Sequence, residues 1–212
     1  SDARPSRVPQ FMARLRMEVR QVLTSPGLII LTLLAVTFTA LVLWVSRSAY
    51  GTSDHPTVAA TVTAARGGSA LFLLMIAAFY GGELVWRERD RKVNELIDST
   101  AVPSWVMTVP KVIAIFLVLF IVNVAAALTG MVYQIIEGGR SIGLLQYLGW
   151  FIVPSAVDGL LIAILAVFFQ VLSPNKYVGW GILFVWFVAG IFLNNMGYGN
   201  PLYNYDGSPN VP

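Results

Sequence analysis

The chain has 212 residues, of which 57% are apolar and only 12% are charged, and its mean hydropathy is +0.71. A soluble domain carries roughly 25% charged residues, so this composition excludes a soluble globular enzyme and a disordered tail. The net charge of +3 does not indicate nucleic-acid binding, because the basic residues flank apolar segments and form no separate patch. With no cysteine and one histidine, the chain has no disulfide, no thiolate metal site and no paired-histidine zinc site.

The first segment predicts an amphipathic elbow helix within residues 1–26. Its apolar residues recur at helical spacing, and they are Phe11, Leu15, Val19 and Val22. Its polar residues occupy the rest of the circumference, and they are Arg14, Arg16, Glu18, Arg20 and Gln21. A basic helix of this kind lies in the membrane interface, where its arginines approach anionic head groups. We interpret Arg14, Arg16 and Arg20 as a lipid anchor or as a second contact with a cytoplasmic partner.

Five stretches that are nearly free of charge predict an all-α integral membrane protein with about five transmembrane helices. A helix needs roughly 20 apolar residues to cross a bilayer. The transmembrane domain covers residues 27–195, and its expected spans are 28–45, 67–86, 110–135, 144–172 and 177–194. Residues 196–212, rich in Asn, Gly, Pro and Tyr, are expected to form an extracytoplasmic loop.

The distribution of Lys and Arg predicts the orientation. Eleven of the 14 basic residues lie before the first span, between the second and third, or between the fourth and fifth. The other three are Arg47, Arg66 and Arg140, which we assign to loops on the opposite side. Because Lys and Arg concentrate in cytoplasmic loops, the amino terminus is expected in the cytoplasm and the segment after Asn194 outside.

Residues 87–109 predict an ordered cytoplasmic hairpin. Opposite charges recur at four-residue spacing, in the pairs Glu83/Arg87, Glu88/Lys92 and Arg91/Glu95. Such pairs support a helix that continues the second span out of the membrane. Pro103-Ser104 is expected to start the next helix, with Ser104 as its N-cap. The alternative interpretation is a solvated charged surface without a partner.

These residues resemble a known family. The pattern starts after the second span with an acidic-basic cluster, followed by a leucine-containing turn. A Thr-x-Val-Pro step comes next, and a lysine enters the third span. In this chain the four parts are Glu88-Arg89-Asp90-Arg91, Glu95-Leu96-Ile97, Thr100-Ala101-Val102-Pro103 and Lys111. It is similar to ABC transporter permeases of the type-2 exporter class, although Ala101 stands where that family commonly has Pro. The segments 82–103, 173–181 and 200–207 resemble a bacterial subgroup that is fused to a gluzincin-type zinc aminopeptidase.

The resemblance implies a role and partners. Such permeases have six spans per half, so a sixth helix would follow this chain, which begins with Ser and is expected to be part of a longer protein. They pair with a second half or a second copy in the bacterial inner membrane, and two cytoplasmic ATPase subunits bind the ATP. The residues at the coupling-helix position are Glu88, Arg89, Asp90, Arg91 and Glu95. The chain itself would be no enzyme and hold no cofactor, and it lacks the zinc motif His-Glu-x-x-His.

Polar residues inside the spans are the other candidate sites. Asp158 lies near the middle of the fourth span, where an unpaired carboxylate costs about 3 kcal/mol or more. It is expected either to make a structural hydrogen bond to a neighbouring helix or to serve a substrate or an ion. Glu83 is expected near the cytoplasmic surface with Arg87 as its partner, and interhelical hydrogen bonds are expected of Asn123, Gln134 and Gln170.

Two alternatives to an exporter permease remain open. An ion-coupled secondary transporter would use Asp158 as its proton or sodium site. Such carriers usually have interrupted helices in two repeats, and the sequence has no second copy. The other alternative is a membrane anchor for the fused peptidase, in which the charges of the hairpin would tolerate mutation.

Overall fold

The structure, a computed structural model, describes residues 7–49, 57–90, 103–138 and 143–196. This part of the chain forms six helices. They are α1 (Arg7–Leu23), α2 (Pro26–Ala49), α3 (Val58–Asp90), α4 (Ser104–Ile136), α5 (Leu144–Leu172) and α6 (Lys176–Asn195). The expected coupling residues Arg91 and Glu95, and the expected loop beyond Met196, lie outside the described residues.

Five of these helices, α2 to α6, contain segments that are long and apolar enough to cross a membrane. They confirm the predicted all-α fold class and indicate a multi-pass membrane protein. The segments are Pro26–Ser46, Val58–Arg87, Trp105–Ile136, Leu144–Leu172 and Lys176–Leu193. The second begins at Val58 and not near residue 67, so Arg66 lies within a helix and not in a loop. The uncharged run of the sequence stops at Arg66, but the Ala, Thr and Val residues before Arg66 continue the helix back to Val58.

Helix α1 packs against the end of the bundle at which α2 begins and α3 ends. The ring of Phe11 in α1 lies 5.7 Å from the ring of Trp105 at the start of α4. The hydroxyl of Tyr80 in α3 donates a hydrogen bond of 3.2 Å to Ser25, between α1 and α2. We call this the α1 end of the bundle and the opposite one the far end. Successive crossings bring α5 back to the α1 end, where α6 starts.

The buried apolar side chains of the described residues form two separate clusters. Helices α3 and α4 are central, and both pack against α2 and α5. The larger cluster contains residues of all six helices, and its fully enclosed side chains include Ile76, Leu84, Ile115, Leu119 and Leu183. The smaller cluster lies towards the far end, and its buried members are Val62, Ala65, Ala126, Ala127, Tyr147 and Phe151. The helix segments between the two clusters carry Arg66, Asn123 and Asp158.

Helix α5 contains one π-helical turn, Leu148–Ile152, directly before Pro154. Proline has no N–H and its ring crowds the preceding turn, so a helix adjusts its hydrogen bonding there. The wider turn lets α5 continue through the proline. Tyr147, directly before this turn, and Phe151, within it, both remain buried against α3 and α4.

Candidate functional site

A buried charged network joins α1 to α3 at the α1 end. Glu18 has an exposed fraction of 0%. Its Oε2 accepts a hydrogen bond of 2.8 Å from Arg87 Nη2, and its Oε1 lies 3.1 Å from Arg14 Nη2 in an ion pair. The sequence prediction that Glu18 belongs to the polar surface of α1 is wrong, because Glu18 is on the same side of the helix as Leu15 and Val22, which packs into the bundle. Burial of a carboxylate is tolerated here because two guanidinium groups surround it.

Arg87 takes part in this network and not in the expected pair with Glu83. Glu83 Oε1 lies 3.8 Å from the Nζ of Lys176 at the start of α6. Side chains four residues apart on a helix are neighbours, but Arg87 here has a buried carboxylate on another helix as a competing partner. The structure therefore places Arg87 between α3 and α1 and Glu83 between α3 and α6.

The three arginines of α1 that the sequence predicts as an anchor or partner contact lie in different environments. Arg14 belongs to the buried network, whereas Arg16 and Arg20 are exposed. On the helical wheel the exposed apolar residues Met12 and Leu23 lie next to Arg16 and Arg20. An apolar edge beside a cationic edge is typical of a helix in the membrane interface.

The expected coupling cluster begins on the last turn of α3. This helix runs without interruption from Val58 to Asp90, so its backbone includes Glu88, Arg89 and Asp90. Arg91 and Glu95 lie outside the described residues. Helix α4 begins at Ser104 with Pro103 in the N-cap position, so the expectation that Ser104 itself caps the helix is wrong. Proline is suited to the start of a helix because it has no backbone N–H that could bond to a preceding turn.

Helices α3, α5 and α6 meet through close contacts at the α1 end. The Trp86 Nε1–H donates a hydrogen bond of 3.0 Å to Gln170 Oε1. A Cβ at Gly82 would lie 2.5 Å from Trp180 Nε1, and one at Gly179 would lie 2.5 Å from the Gln170 amide. The absence of a side chain at both glycines permits this approach. Gln170 therefore makes the interhelical hydrogen bond that the sequence predicts.

An ion pair between α3 and α5 lies between the two apolar clusters. Arg66 Nη2 donates a hydrogen bond of 2.9 Å to Asp158 Oδ2. The exposed fractions of these side chains are 31% for Arg66 and 22% for Asp158. The sequence indicates Asp158 as a candidate site but not Arg66, because Arg66 follows a short polar stretch that predicts a loop. An unexplained carboxylate in one span is itself a signal to search the other spans for a cation.

Two further polar residues of α4 are buried, and one of them, Asn123, lies between the two apolar clusters. Asn123 of α4 has an exposed fraction of 1%, and neither its amide oxygen nor its nitrogen has a hydrogen-bond partner within the described residues. The expected interhelical hydrogen bond of Asn123 is therefore not formed there. Gln134, towards the far end, does accept one, from the Tyr147 hydroxyl at 3.2 Å.

The described residues contain no group of three or more His, Cys, Asp or Glu side chains that could hold a metal ion. Their polar chemistry is that of ion pairs and hydrogen bonds between helices. In comparisons with known proteins, no family model, no curated protein and no solved structure matches the chain.

Proposed function

We propose that this chain is part of the membrane permease of an ATP-driven exporter of the ABC type, in the bacterial inner membrane with its amino terminus in the cytoplasm. The observation that carries the proposal is the uninterrupted course of α3. One helix contains a candidate span and ends in the charged residues Glu88, Arg89 and Asp90, and Arg87 fixes it to α1 through the buried Glu18. A force on the end of α3 would reach the membrane without an intervening hinge.

In this proposal a cytoplasmic ATPase subunit binds the hairpin that begins at Glu88. Closure of two ATPase subunits around ATP would displace the hairpin, and α3 with α1 would move as one unit. Such a movement would switch the helices from one packing arrangement to another, as in other ligand-driven switches. A second half or a second copy of the chain would complete the substrate pathway.

The test is charge reversal on the last turn of α3, with Glu88→Lys and Asp90→Lys combined. In the full protein with its ATPase, we expect substrate-stimulated ATP hydrolysis and export to fall to about a tenth or less, because charge reversal across an interface typically costs several kcal/mol. The matched control is Arg140→Glu, which reverses a charge expected on the opposite membrane side and leaves both activities unchanged. Unchanged stimulated hydrolysis in the double variant would contradict the proposal.

An ion-coupled carrier is the second candidate, and the partly accessible Arg66–Asp158 pair favours it. A carrier would move its substrate along a proton or sodium gradient in vesicles without nucleotide, whereas the exporter requires ATP and its partner. A membrane anchor for a fused peptidase is a third possibility. It would tolerate the double charge reversal at Glu88 and Asp90 without loss of any membrane activity.

A further inference from the structure

Helix α1 turns its carboxylate towards the bundle and two of its arginines away from it. Glu18 is the only acidic residue of α1, and it is completely buried. Arg16 precedes Glu18 by two residues and Arg20 follows it by two, and two residues correspond to a rotation of about 200° on a helix. Both arginines therefore lie almost opposite Glu18, and both are exposed. The outer side of α1 carries positive charge and no carboxylate of its own.

The charges of Arg16 and Arg20 are not used inside the fold. Arg14 pairs with the buried carboxylate of Glu18, but the guanidinium groups of Arg16 and Arg20 make neither a hydrogen bond nor an ion pair with any residue that the structure describes. The two arginines are four residues apart and so are neighbours on the helix surface, where like charges repel each other. An anion between them would remove this repulsion and accept hydrogen bonds from both.

An open groove on α1 is lined by both arginines. Its volume is about 400 Å³, within the range of roughly 300–1,000 Å³ that is usual for small-molecule sites. Besides the two cations, the groove contains a hydroxyl, an amide and the half-exposed side chain of Met17. Its lining residues are Ala13, Arg16, Met17, Arg20, Gln21 and Thr24. The groove therefore combines positive charge and hydrogen-bonding groups with an apolar wall.

The start of the first candidate span places this groove close to the bilayer. The span begins at Pro26, and Ile29 and Ile30 in its first turn are exposed, by 63% and 58%. Arg20 precedes Pro26 by six residues, at most about 9 Å along the helix axis. Lipid head groups extend about 5–7 Å beyond the hydrocarbon on each side, and a long arginine side chain can reach back towards them. The anion nearest to the groove is therefore a lipid phosphate.

We propose that this groove binds the head group of an anionic phospholipid, with its phosphate between Arg16 and Arg20 and its acyl chains beside Met17 and the first turn of α2. Arginine suits this contact because it donates parallel N–H groups to phosphate oxygens. The bound lipid on the outer side of α1 and the ion pairs of Glu18 on the inner side would hold the helix at the membrane surface. Binding needs neither ATP nor an ATPase subunit.

The test measures lipid binding to the purified full-length protein in detergent, by native mass spectrometry. The probes are phosphatidylglycerol, which is anionic, and phosphatidylcholine with the same acyl chains, which has no net charge. We expect Arg16→Gln or Arg20→Gln to weaken the binding of phosphatidylglycerol about fivefold and both together about 25-fold, since each cation near anionic head groups contributes about that factor. Phosphatidylcholine should bind the wild type about as weakly as phosphatidylglycerol binds the double variant.

Two control variants separate the groove from positive charge in general. Lys176→Gln removes a cation at the same end of the bundle, where Lys176 pairs with Glu83, and should leave the affinity for phosphatidylglycerol unchanged. Arg16→Lys combined with Arg20→Lys keeps both charges and should restore most of the binding that the double Gln variant loses. Because both arginines are exposed, the unfolding midpoints of these variants should equal that of the wild type.

Three results would overturn the proposal. The first is equal affinity of the double Gln variant and the wild type for phosphatidylglycerol. The second is displacement of phosphatidylglycerol by an equal concentration of inorganic phosphate, which would identify a site for a soluble anion. The third is an unchanged lipid affinity of the double Gln variant together with loss of its cytoplasmic ATPase subunit, which would assign Arg16 and Arg20 to a protein partner.

Discussion

Two ion pairs at the α1 end differ in how much solvent reaches them, and this decides what each contributes to stability. Glu18 is completely enclosed between Arg14 and Arg87. Glu83 is about half exposed, and its nearest oxygen is 3.8 Å from Lys176 Nζ. Removing one member of a buried pair leaves an uncompensated charge, whereas solvent largely screens an exposed pair. The first pair is therefore expected to be essential for folding and the second one dispensable.

We predict that Glu18→Gln lowers the free energy of unfolding by about 3–5 kcal/mol, because it leaves two buried guanidinium groups without their carboxylate. Glu83→Gln, the matched control, should change it by less than about 1 kcal/mol. The measurement is thermal unfolding of the purified protein in detergent, followed by tryptophan fluorescence. Equal midpoints for the two variants would mean that Glu18 is accessible to water in solution.

At the residue scale, the sequence identifies some charged groups but not their partners. Asp158 is evident because it interrupts a long apolar run. Arg66 is 92 positions away in the chain, and Glu18 is 69 positions from Arg87. A helical wheel gives the angular position of Glu18 on α1 but not which side of α1 meets the bundle. These pairings depend on how the helices pack, and no local pattern of the sequence records that.

At the element scale, the contacts of α6 with α3 and with α5 each depend on a glycine. The Trp180 ring occupies the place where a side chain at Gly82 would be, and the Gln170 amide does the same at Gly179. Gln170 is also held by its hydrogen bond from Trp86. Neither neighbour can move away without losing packing or a hydrogen bond. By contrast, a Cβ at Gly181 would have no atom within 4 Å among the described residues, apart from the adjoining backbone of α6 itself.

We predict that Gly82→Ala and Gly179→Ala each destabilise the protein by about 1–3 kcal/mol, the usual cost of an added methyl group in a packed contact. Gly181→Ala should be neutral or stabilising by up to about 1 kcal/mol, since alanine favours a helix. Unfolding midpoints in detergent compare the three variants directly. A Gly82→Ala protein as stable as Gly181→Ala would show that α6 does not pack closely on α3.

The positions of the helices follow from hydropathy more reliably than their ends do. Four expected spans coincide with the observed apolar helices to within a few residues. The second helix starts earlier, at Val58, because a charged residue ends an apolar run without ending a helix. Hydrogen bonding along the backbone continues through Arg66, and its side chain finds a carboxylate on α5.

At the scale of the whole molecule, an odd number of membrane crossings would place the two ends of the described chain on opposite sides of the membrane. Five helices are long and apolar enough to span a membrane, and α1 precedes the first of them. This chain has no cysteine, so single cysteines introduced into it can report the side on which each end lies. Thr24, after α1, and Met196, after α6, are both exposed.

We predict that a membrane-impermeant thiol reagent added outside intact cells labels Met196→Cys but not Thr24→Cys. Inverted vesicles should give the opposite result, because the basic loops favour the cytoplasm for the end that carries α1. A variant without cysteine controls for background labelling. Labelling of both positions from the same side would exclude five crossings.

The length of α3 has a mechanical consequence. Arg87 and Arg66 are 21 residues apart on one unbroken helix, about 31 Å along its axis, so a tilt of about 5° pivoting at Arg87 would move Arg66 by about 3 Å. That displacement is as long as the 2.9 Å contact with Asp158. Helix α3 can thus act as a lever arm, by which a slight rotation at the α1 end pulls apart two opposite charges on the other side of the hydrophobic interior.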